Sequence, residues 1–334
     1  MDGAVPERWR TPVTHLPGAR RRPVRAAATL AAAALALSAC GSSETASPAA
    51  DAASEAAASE TTVGTAFGEV AVPADPQRVV TLAENALDVA LSVGVTPVGT
   101  TASRGGNAAP AYLGEAAAAI PVVATVAEPN LEAVLEAEPD LILASAGLAQ
   151  EQYDALTAIA PTVVPDTATG GDWQEPLHVY AQALGADDEL TADLDAITAR
   201  AEAVAAAGSL DGTAAVLRWM ANGALVMNSA LMPGSLLQAA GADPLPIADL
   251  GAEPHSDPLS LENLGQVDAD RLFVAAFGAD GKGALEAAKA QPAFTQLGAV
   301  QAGTTSEVDG SVWSSASGPT AAQLVMDDIE AAAS

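Results

Sequence analysis

From Val79 onward, short wholly apolar runs alternate with stretches whose apolar positions recur every three or four residues. The runs Val79-Val80-Thr81-Leu82, Pro97-Val98-Gly99-Thr100, Leu141-Ile142-Leu143-Ala144 and Thr162-Val163-Val164 predict strands buried on both faces. Between them, Leu87–Val93 predicts a helix ending at Gly94, and Leu131–Ala137 one capped by Asn130 and stopped by Pro139. A third helix is predicted near Gln150–Ile159. Strands that alternate with helices pair in parallel, with helices on the sheet faces.

The clearest periodicity lies mid-chain. Leu190, Leu194, Ile197, Ala201 and Val204 recur at spacings of 4, 3, 4 and 3, with Asp193, Asp195, Arg200 and Glu202 on the other faces. This predicts a long amphipathic helix, Glu189 to Ala207, ending before Gly208. Such a rod is either a separate packing helix or a strut between two halves. One internal match favours two halves. Asn130-Leu131-Glu132, with Val134, Asp140, Ile142 and Leu143, recurs as Ser260-Leu261-Glu262, with Leu264, Asp270, Leu272 and Phe273. Val79–Leu82 with the helix after it has a weaker echo in Val216–Trp219 and Leu236–Gly241.

The first sixty residues follow a different pattern. A basic stretch, Arg20-Arg21-Arg22-Pro23-Val24-Arg25, precedes an apolar run from Ala26 to Leu37 and then Ser38-Ala39-Cys40. Charged, apolar, small is the order of a secretory signal, and the run falls short of the about 20 residues a membrane span takes. The chain's single cysteine, Cys40, stands at the expected cleavage point. That arrangement resembles the lipobox of bacterial lipoproteins, in which the cysteine becomes the lipidated first residue. Gly41–Thr62 holds no large apolar residue, so it is expected to be a disordered tether with a reach of roughly 25 Å.

Charge then narrows the function. The formal net charge is −29, from 13 basic and 42 acidic residues. Residues 1–39 hold six of the arginines and two of the acids, so seven basic and forty acidic residues remain, a net of −33. Such a surface repels nucleic acid and anionic lipid, and it favours solubility. It also makes each remaining cation conspicuous. With one thiol, no disulfide can form within the mature chain. Outside the leader only His178 and His255 remain, too few and too far apart for a three- or four-ligand transition-metal cluster. There is no phosphate-cradling Gly-rich loop, no Gly-x-Ser-x-Gly and no zinc-protease helix.

Over nearly the whole expected mature chain, the phrasing resembles the lipoprotein substrate-binding proteins of ABC importers, in particular the ferric-siderophore and cobalamin group. The resemblance is carried by Gly68–Pro73 with Pro76–Val80, by Leu87–Gly99, by Asn130–Ile142, by Pro258–Val274 and by Gln291–Leu297. Its most specific part is the ending, Glu307–Gly310 through Trp313, Gly318-Pro319 and Leu324–Asp328. It implies two α/β lobes of similar topology, joined by a long rigid bridging helix, with ligand between the lobes and no catalysis. The expected division is a signal peptide at 1–39, a lipidated Cys40 and tether at 40–62, an N-terminal lobe at 63–186, the bridging helix at 187–208 and a C-terminal lobe at 209–334. The implied ligand is a ferric siderophore, with cobalamin or haem as alternatives. The implied partners are a permease and its ATPase, the protein acting as a monomer lipid-anchored to the outer face of the cytoplasmic membrane. An iron already wrapped by its chelator would need no resident cofactor or metal site.

Arg104, in the loop after the second strand, and Arg218, at the end of Ala215–Trp219, are the candidates for gripping chelate oxygens. In the resembling family an arginine in the segment matching Val216–Trp219 often faces ligand. Trp313, Trp219 and Tyr112 are candidate ring surfaces, and Asn228 a candidate donor beside Ser229. Trp173 reads as a packing residue and His255 as a loop residue that could still donate to a chelate. Glu132 and Glu262 occupy the first turns of matching helices, where a carboxylate favours the helix dipole. The resemblance adds permease docking to that pair, one glutamate per lobe. The overall negative charge favours a near-neutral hydroxamate or mixed chelate over a strongly anionic one. The alternatives of other classes are a secreted α/β hydrolase acting through Ser103 or Ser229, and a surface module that only docks proteins.

Overall fold

In the computed structural model, residues 59–125, 128–166 and 171–334 are described. Cys40, the leader and most of the expected tether lie outside them. The chain opens with an antiparallel hairpin, β1 (Glu60–Thr65) and β2 (Gly68–Pro73). Glu60, Thr61 and Thr62, expected in the tether, pair with Pro73, Val72 and Ala71. Only Val63 of β1 is buried, so backbone pairing rather than an apolar pattern holds those three residues in a strand.

The N-terminal lobe contains β3 (Val79–Thr81), α1 (Glu84–Ser92), β4 (Gly99–Thr101), α2 (Gly114–Ala118), β5 (Val122–Ala124), α3 (Leu131–Glu136), β6 (Leu141–Leu143), α4 (Gln150–Thr157), β7 (Thr162–Val163) and α5 (Glu175–Leu184). Its five strands are all parallel, in the order β5-β4-β3-β6-β7. Then comes α6 (Asp187–Ala207), 21 residues ended by Gly208 in the left-handed conformation. The C-terminal lobe holds β8 (Gly212–Met220), β9 (Gly223–Val226), α7 (Met232–Ala239), β10 (Ala242–Pro244), β11 (Arg271–Ala276), α8 (Gly278–Lys289), α9 (Pro292–Thr295), α10 (Gly298–Ala302), β12 (Thr305–Asp309), α11 (Gly310–Ser314) and α12 (Pro319–Ala333). Its sheet runs β10-β8-β11-β12 in parallel. The strand β9 breaks the parallel rule by folding back on the second half of β8. In both lobes the first strand sits between the next parallel strand and a later one, β3 between β4 and β6 and β8 between β10 and β11, which is the topological likeness that the internal match predicts.

That match has a mechanical meaning. The Asp140 carboxylate accepts hydrogen bonds from the Gln77 and Arg78 backbone at 2.8 and 2.9 Å, just ahead of β3. Asp270 accepts from Thr213 N at 2.7 Å and from its hydroxyl at 2.8 Å, at the start of β8. Each lobe therefore pins the entry of its first strand with the acid that precedes β6 or β11. The likeness weakens at the capped turns. Asn130 accepts from Ala133 N, whereas Leu261–Val267 forms a 3-10 helix whose Ser260 makes no side-chain cap bond.

Leu190, Leu194, Ile197, Ala201 and Val204 are the buried face of α6, as their spacing predicts. Burying the four large ones contributes at most roughly 6–12 kcal/mol. At 1.5 Å per residue the helix is about 31 Å long. It lies in a single apolar core that also takes in Val79 and Leu143 of one lobe, Val216 and Phe273 of the other, and Val325 and Ile329 of α12. Arg200 of α6 fixes α12 from outside, to Asp327 at 2.6 Å and Glu330 at 2.8 Å. A second joint crosses between the lobes. Asp88 of α1 is buried, and its carboxylate caps α12 by accepting from Thr320 N and Ala321 N at 2.9 and 3.1 Å and from the Tyr112 hydroxyl at 3.2 Å. Gly318 lies so close to Asp88 that any Cβ there would clash. A shared core and two helical joints oppose wide hinge opening, so the space between the lobes is largely preformed.

Candidate functional site

Alternation along β8 decides which side chains face that space. Ala214 and Val216 point into the shared core, while Ala215, Leu217 and Trp219 point into the separate core behind the sheet. Arg218 follows Ala214 and Val216 and emerges where β8 leaves the inner core. There it lines a cleft of about 440 Å³ between the lobes. Arg104, Asn85 and Trp173 reach the cleft from the first lobe. Arg218, Met227, His255 and Trp313 reach it from the second. The floor lies at the carboxyl ends of the strands, where open parallel sheets bind ligands.

The electrostatics are unusual for so acidic a chain. The Arg218 guanidinium lies over the Phe277 ring, 4.2 Å from its centroid. Its Nε is buried and has no hydrogen-bond partner. Burial, and secondarily the charge of Arg104, lowers its pKa from the ordinary arginine value. Neither Arg104 nor Arg218 forms an ion pair among the described residues. The Arg104 loop is fixed by its backbone, with Arg104 N donating to Glu84 Oε1 at 2.5 Å. Burial raises the pKa of Glu84, against the pull of that hydrogen bond and of the Arg104 charge. The Ser315 hydroxyl, also in the cleft wall, is a second buried polar atom without a partner. Orphaned buried donors cost stability. Two of them beside a pair of guanidiniums that form no ion pair among the described residues fit an anionic, oxygen-rich ligand.

Other sequence candidates lie elsewhere. Trp219 is 2 % exposed and packs edge-on against Phe294 behind the sheet, because neighbouring strand residues face opposite ways. Asn228 donates from Nδ2 to the Gly251 and Glu253 carbonyls at 3.1 and 2.8 Å, and its Oδ1 accepts from Ala230 N at 3.0 Å. Its polar atoms therefore staple a loop and do not face the cleft. Tyr112 belongs to the Asp88 joint, and burial together with the nearby Asp88 and Glu84 charges pushes its hydroxyl pKa up. Trp313 does line the cleft but is only 1 % exposed. It stacks on Phe273 with centroids 4.7 Å apart and donates from Nε1 to Asp328 at 2.7 Å, so it is a rigid wall. Trp173 and His255, read as packing and loop residues, are half-buried in the cleft wall. Trp173 also packs against the shared core, as the sequence reading expects.

Among the described residues the two histidines and Ser229 have other partners. His178 pairs with Asp187 at 2.7 Å and His255 Nδ1 lies 2.9 Å from Ser256 O, while Ser229 donates to Ala248 O at 3.2 Å. Neither histidine is bonded to Ser103 or Ser229 among the described residues. No group of three or more His, Cys, Asp or Glu among the described residues could hold a metal ion. Glu132 and Glu262 are exposed, each after an exposed leucine, Leu131 and Leu261.

Comparison with known proteins agrees with this geometry. A family profile described as periplasmic binding protein matches residues 79–310. The chain is 31 % identical over 312 residues to a protein of Bacillus subtilis described as a probable siderophore-binding lipoprotein, YfiY, covering 89 % of this chain and 94 % of that one. It is 26 % identical to the Fe(3+)-citrate-binding protein YfmC of the same organism, over 78 % of this chain and 82 % of the relative. The crystal structure of Staphylococcus aureus SirA complexed with staphyloferrin B superposes with a TM-score of 0.71 at 26 % identity, covering 81 % of this chain and 98 % of that one.

Proposed function

Because the chain belongs to the periplasmic binding protein family, we propose that it captures a ferric siderophore outside the cytoplasmic membrane and hands it to an ABC importer. It is a binding protein, not an enzyme. The observation that carries this reading is the unpaired Arg104 and Arg218 facing one interlobe cleft in a chain of strong net negative charge. Ligand charge is decided locally. Screening removes most of the distant acids' influence beyond about 8 Å, whereas the two guanidiniums act at contact. An anionic, carboxylate-bearing ferric chelate therefore suits the cleft better than the near-neutral hydroxamate that net charge alone favours. Relatives described as binding Fe(3+)-citrate and staphyloferrin B support iron chelates over cobalamin or haem.

In this reading the chelator keeps the iron coordinated, and the protein supplies shape, guanidinium donors and the Trp173 and Trp313 walls. Cys40 carries the lipid anchor, and Glu132 and Glu262 present the two lobes to the permease. The test is tryptophan fluorescence titration with Fe(III)–citrate, iron-loaded staphyloferrin B, a ferric trihydroxamate, cobalamin, haem and free Zn²⁺. Saturable quenching by a ferric chelate is expected, strongest in the carboxylate class. Saturation by free Zn²⁺ with no response to any chelate would overturn the reading.

A further inference from the structure

Seven cationic side chains lie beyond the leader, and four have partners. Arg78 donates to the carbonyls of Glu138 and Ala137, and Arg271 to those of Ala332 and Ser209. Arg200 holds Asp327 and Glu330, and Lys289 holds Glu286 and Glu307. Arg104, Arg218 and Lys282 have no side-chain partner among the described residues. Two of these three account for the cleft already described. Lys282, exposed on α8, lines a different cavity of about 640 Å³.

That cavity adjoins the cleft. Arg104 lines both, and Phe277, which carries the Arg218 guanidinium on its ring, forms part of the second cavity's wall. The Arg104 loop approaches the same ring, since a Cβ on Gly105 would lie 3.8 Å from it. Loop, ring and guanidinium thus form a low ridge with a chamber on each side. Beyond the ridge the walls are the carboxyl ends of β11 and β12 and the first turns of α8. The acids there have partners, although the Lys282 charge also acts on Asp309. Lys289 binds Glu286 at 2.6 Å and Glu307 at 2.5 Å, and Asp309 uses Oδ1 to cap α11 through Ser311 N and Val312 N at 2.8 and 3.1 Å. Lys282, like Arg104 on the ridge, forms no ion pair among the described residues.

We propose that the ligand site continues over the Arg218–Phe277 ridge into this second chamber, where Lys282 binds a carboxylate-bearing arm of the chelate. The proposal rests on the siderophore reading and extends it. The two chambers together offer roughly 1,100 Å³, slightly above the ordinary range for ligand sites. That is room for a multi-armed chelator, with its iron centre beside Arg218 and an arm beside Lys282. An ammonium point charge on a flexible stem suits an arm of variable position, whereas the stacked guanidinium suits a fixed one.

The experiment measures Lys282→Gln, Lys282→Glu and Lys289→Gln against the unaltered protein by tryptophan fluorescence, with Fe(III)–citrate and iron-loaded staphyloferrin B as probes at low and high salt. Lys282→Gln is expected to weaken the multi-armed chelate by about 5–30-fold, and Lys282→Glu by more. Fe(III)–citrate should change less, and Lys289→Gln, which unpairs Glu286 and Glu307 in the chamber wall, should also weaken the multi-armed chelate. High salt should shrink the Lys282 effect. Unchanged binding of both probes by Lys282→Gln, with Arg218→Ala impaired, would remove the second chamber and leave the siderophore reading intact. If the unaltered protein binds neither probe, the siderophore reading and the chamber fall together.

Discussion

Replacing Asp88 with alanine tests how the two lobes are joined. Asp88 sits on α1, and its carboxylate caps the first turn of α12 by accepting from Thr320 N, Ala321 N and the Tyr112 hydroxyl. Losing a helix cap costs about 1–2 kcal/mol, and stranding a buried hydroxyl adds about 1–3. Burial of the carboxylate opposes this, as its raised pKa shows, so the net loss expected for Asp88→Ala is about 2–4 kcal/mol. For a folded region of this size that corresponds to a fall of roughly 5–10 °C in melting temperature. Asp88→Asn keeps one acceptor oxygen and should lose about half as much. Urea titration is the assay, with a shifted midpoint and an unchanged slope. The sign with pH follows from the raised pKa. The folded chain holds the Asp88 proton more tightly than the unfolded chain does. Its contribution is therefore greatest below the ordinary value near 3.8 and is lost as pH climbs through the raised value. Acidification should favour the unaltered protein over Asp88→Asn. If Asp88→Ala melts like the unaltered protein, with no faster exchange of α12 amides, the joint between the lobes is wrongly assigned.

Arg218→Ala should weaken ferric-chelate binding by roughly 10–150-fold, the worth of one or two charge-assisted hydrogen bonds, with an unchanged urea midpoint. Trp313→Ala should behave oppositely. Removing a buried indole stacked on Phe273 should cost about 3–5 kcal/mol, and Trp313→Phe should recover much of it. For Asp270, bonds from Thr213 hold the carboxyl below its ordinary 3.8. Its contribution is thus present above that value and lost as pH falls through the lowered one, so melts of Asp270→Asn and the unaltered protein should converge on acidification.

Local patterns were legible where side-chain periodicity and burial coincide. The buried stripe of α6 follows its 4-3-4-3 spacing residue by residue. The strand β6 and the Asn130 cap also stand where composition places them. The hairpin start was hidden because Glu60–Thr62 are held by backbone pairing alone. The return strand β9 was hidden because four small and apolar residues carry no directional signal. Strand alternation, present in the sequence, already separates Arg218 from Trp219, and applying it would have removed Trp219 from the site. What no local pattern shows is pairing across the chain. Arg200 and Arg271 look as available as Arg104 and Arg218, yet their partners lie 123 or more and 61 or more residues away in sequence. Only the folded chain shows which cations remain unneutralised.

The most direct test is crystallographic. Crystals of the protein grown with an iron-loaded carboxylate siderophore should give an iron-edge anomalous peak in the interlobe cleft, beside Arg218 and between the Trp173 and Trp313 walls. A peak on the outer surface of either lobe, or bound chelate whose oxygens touch neither Arg104 nor Arg218, would contradict the account.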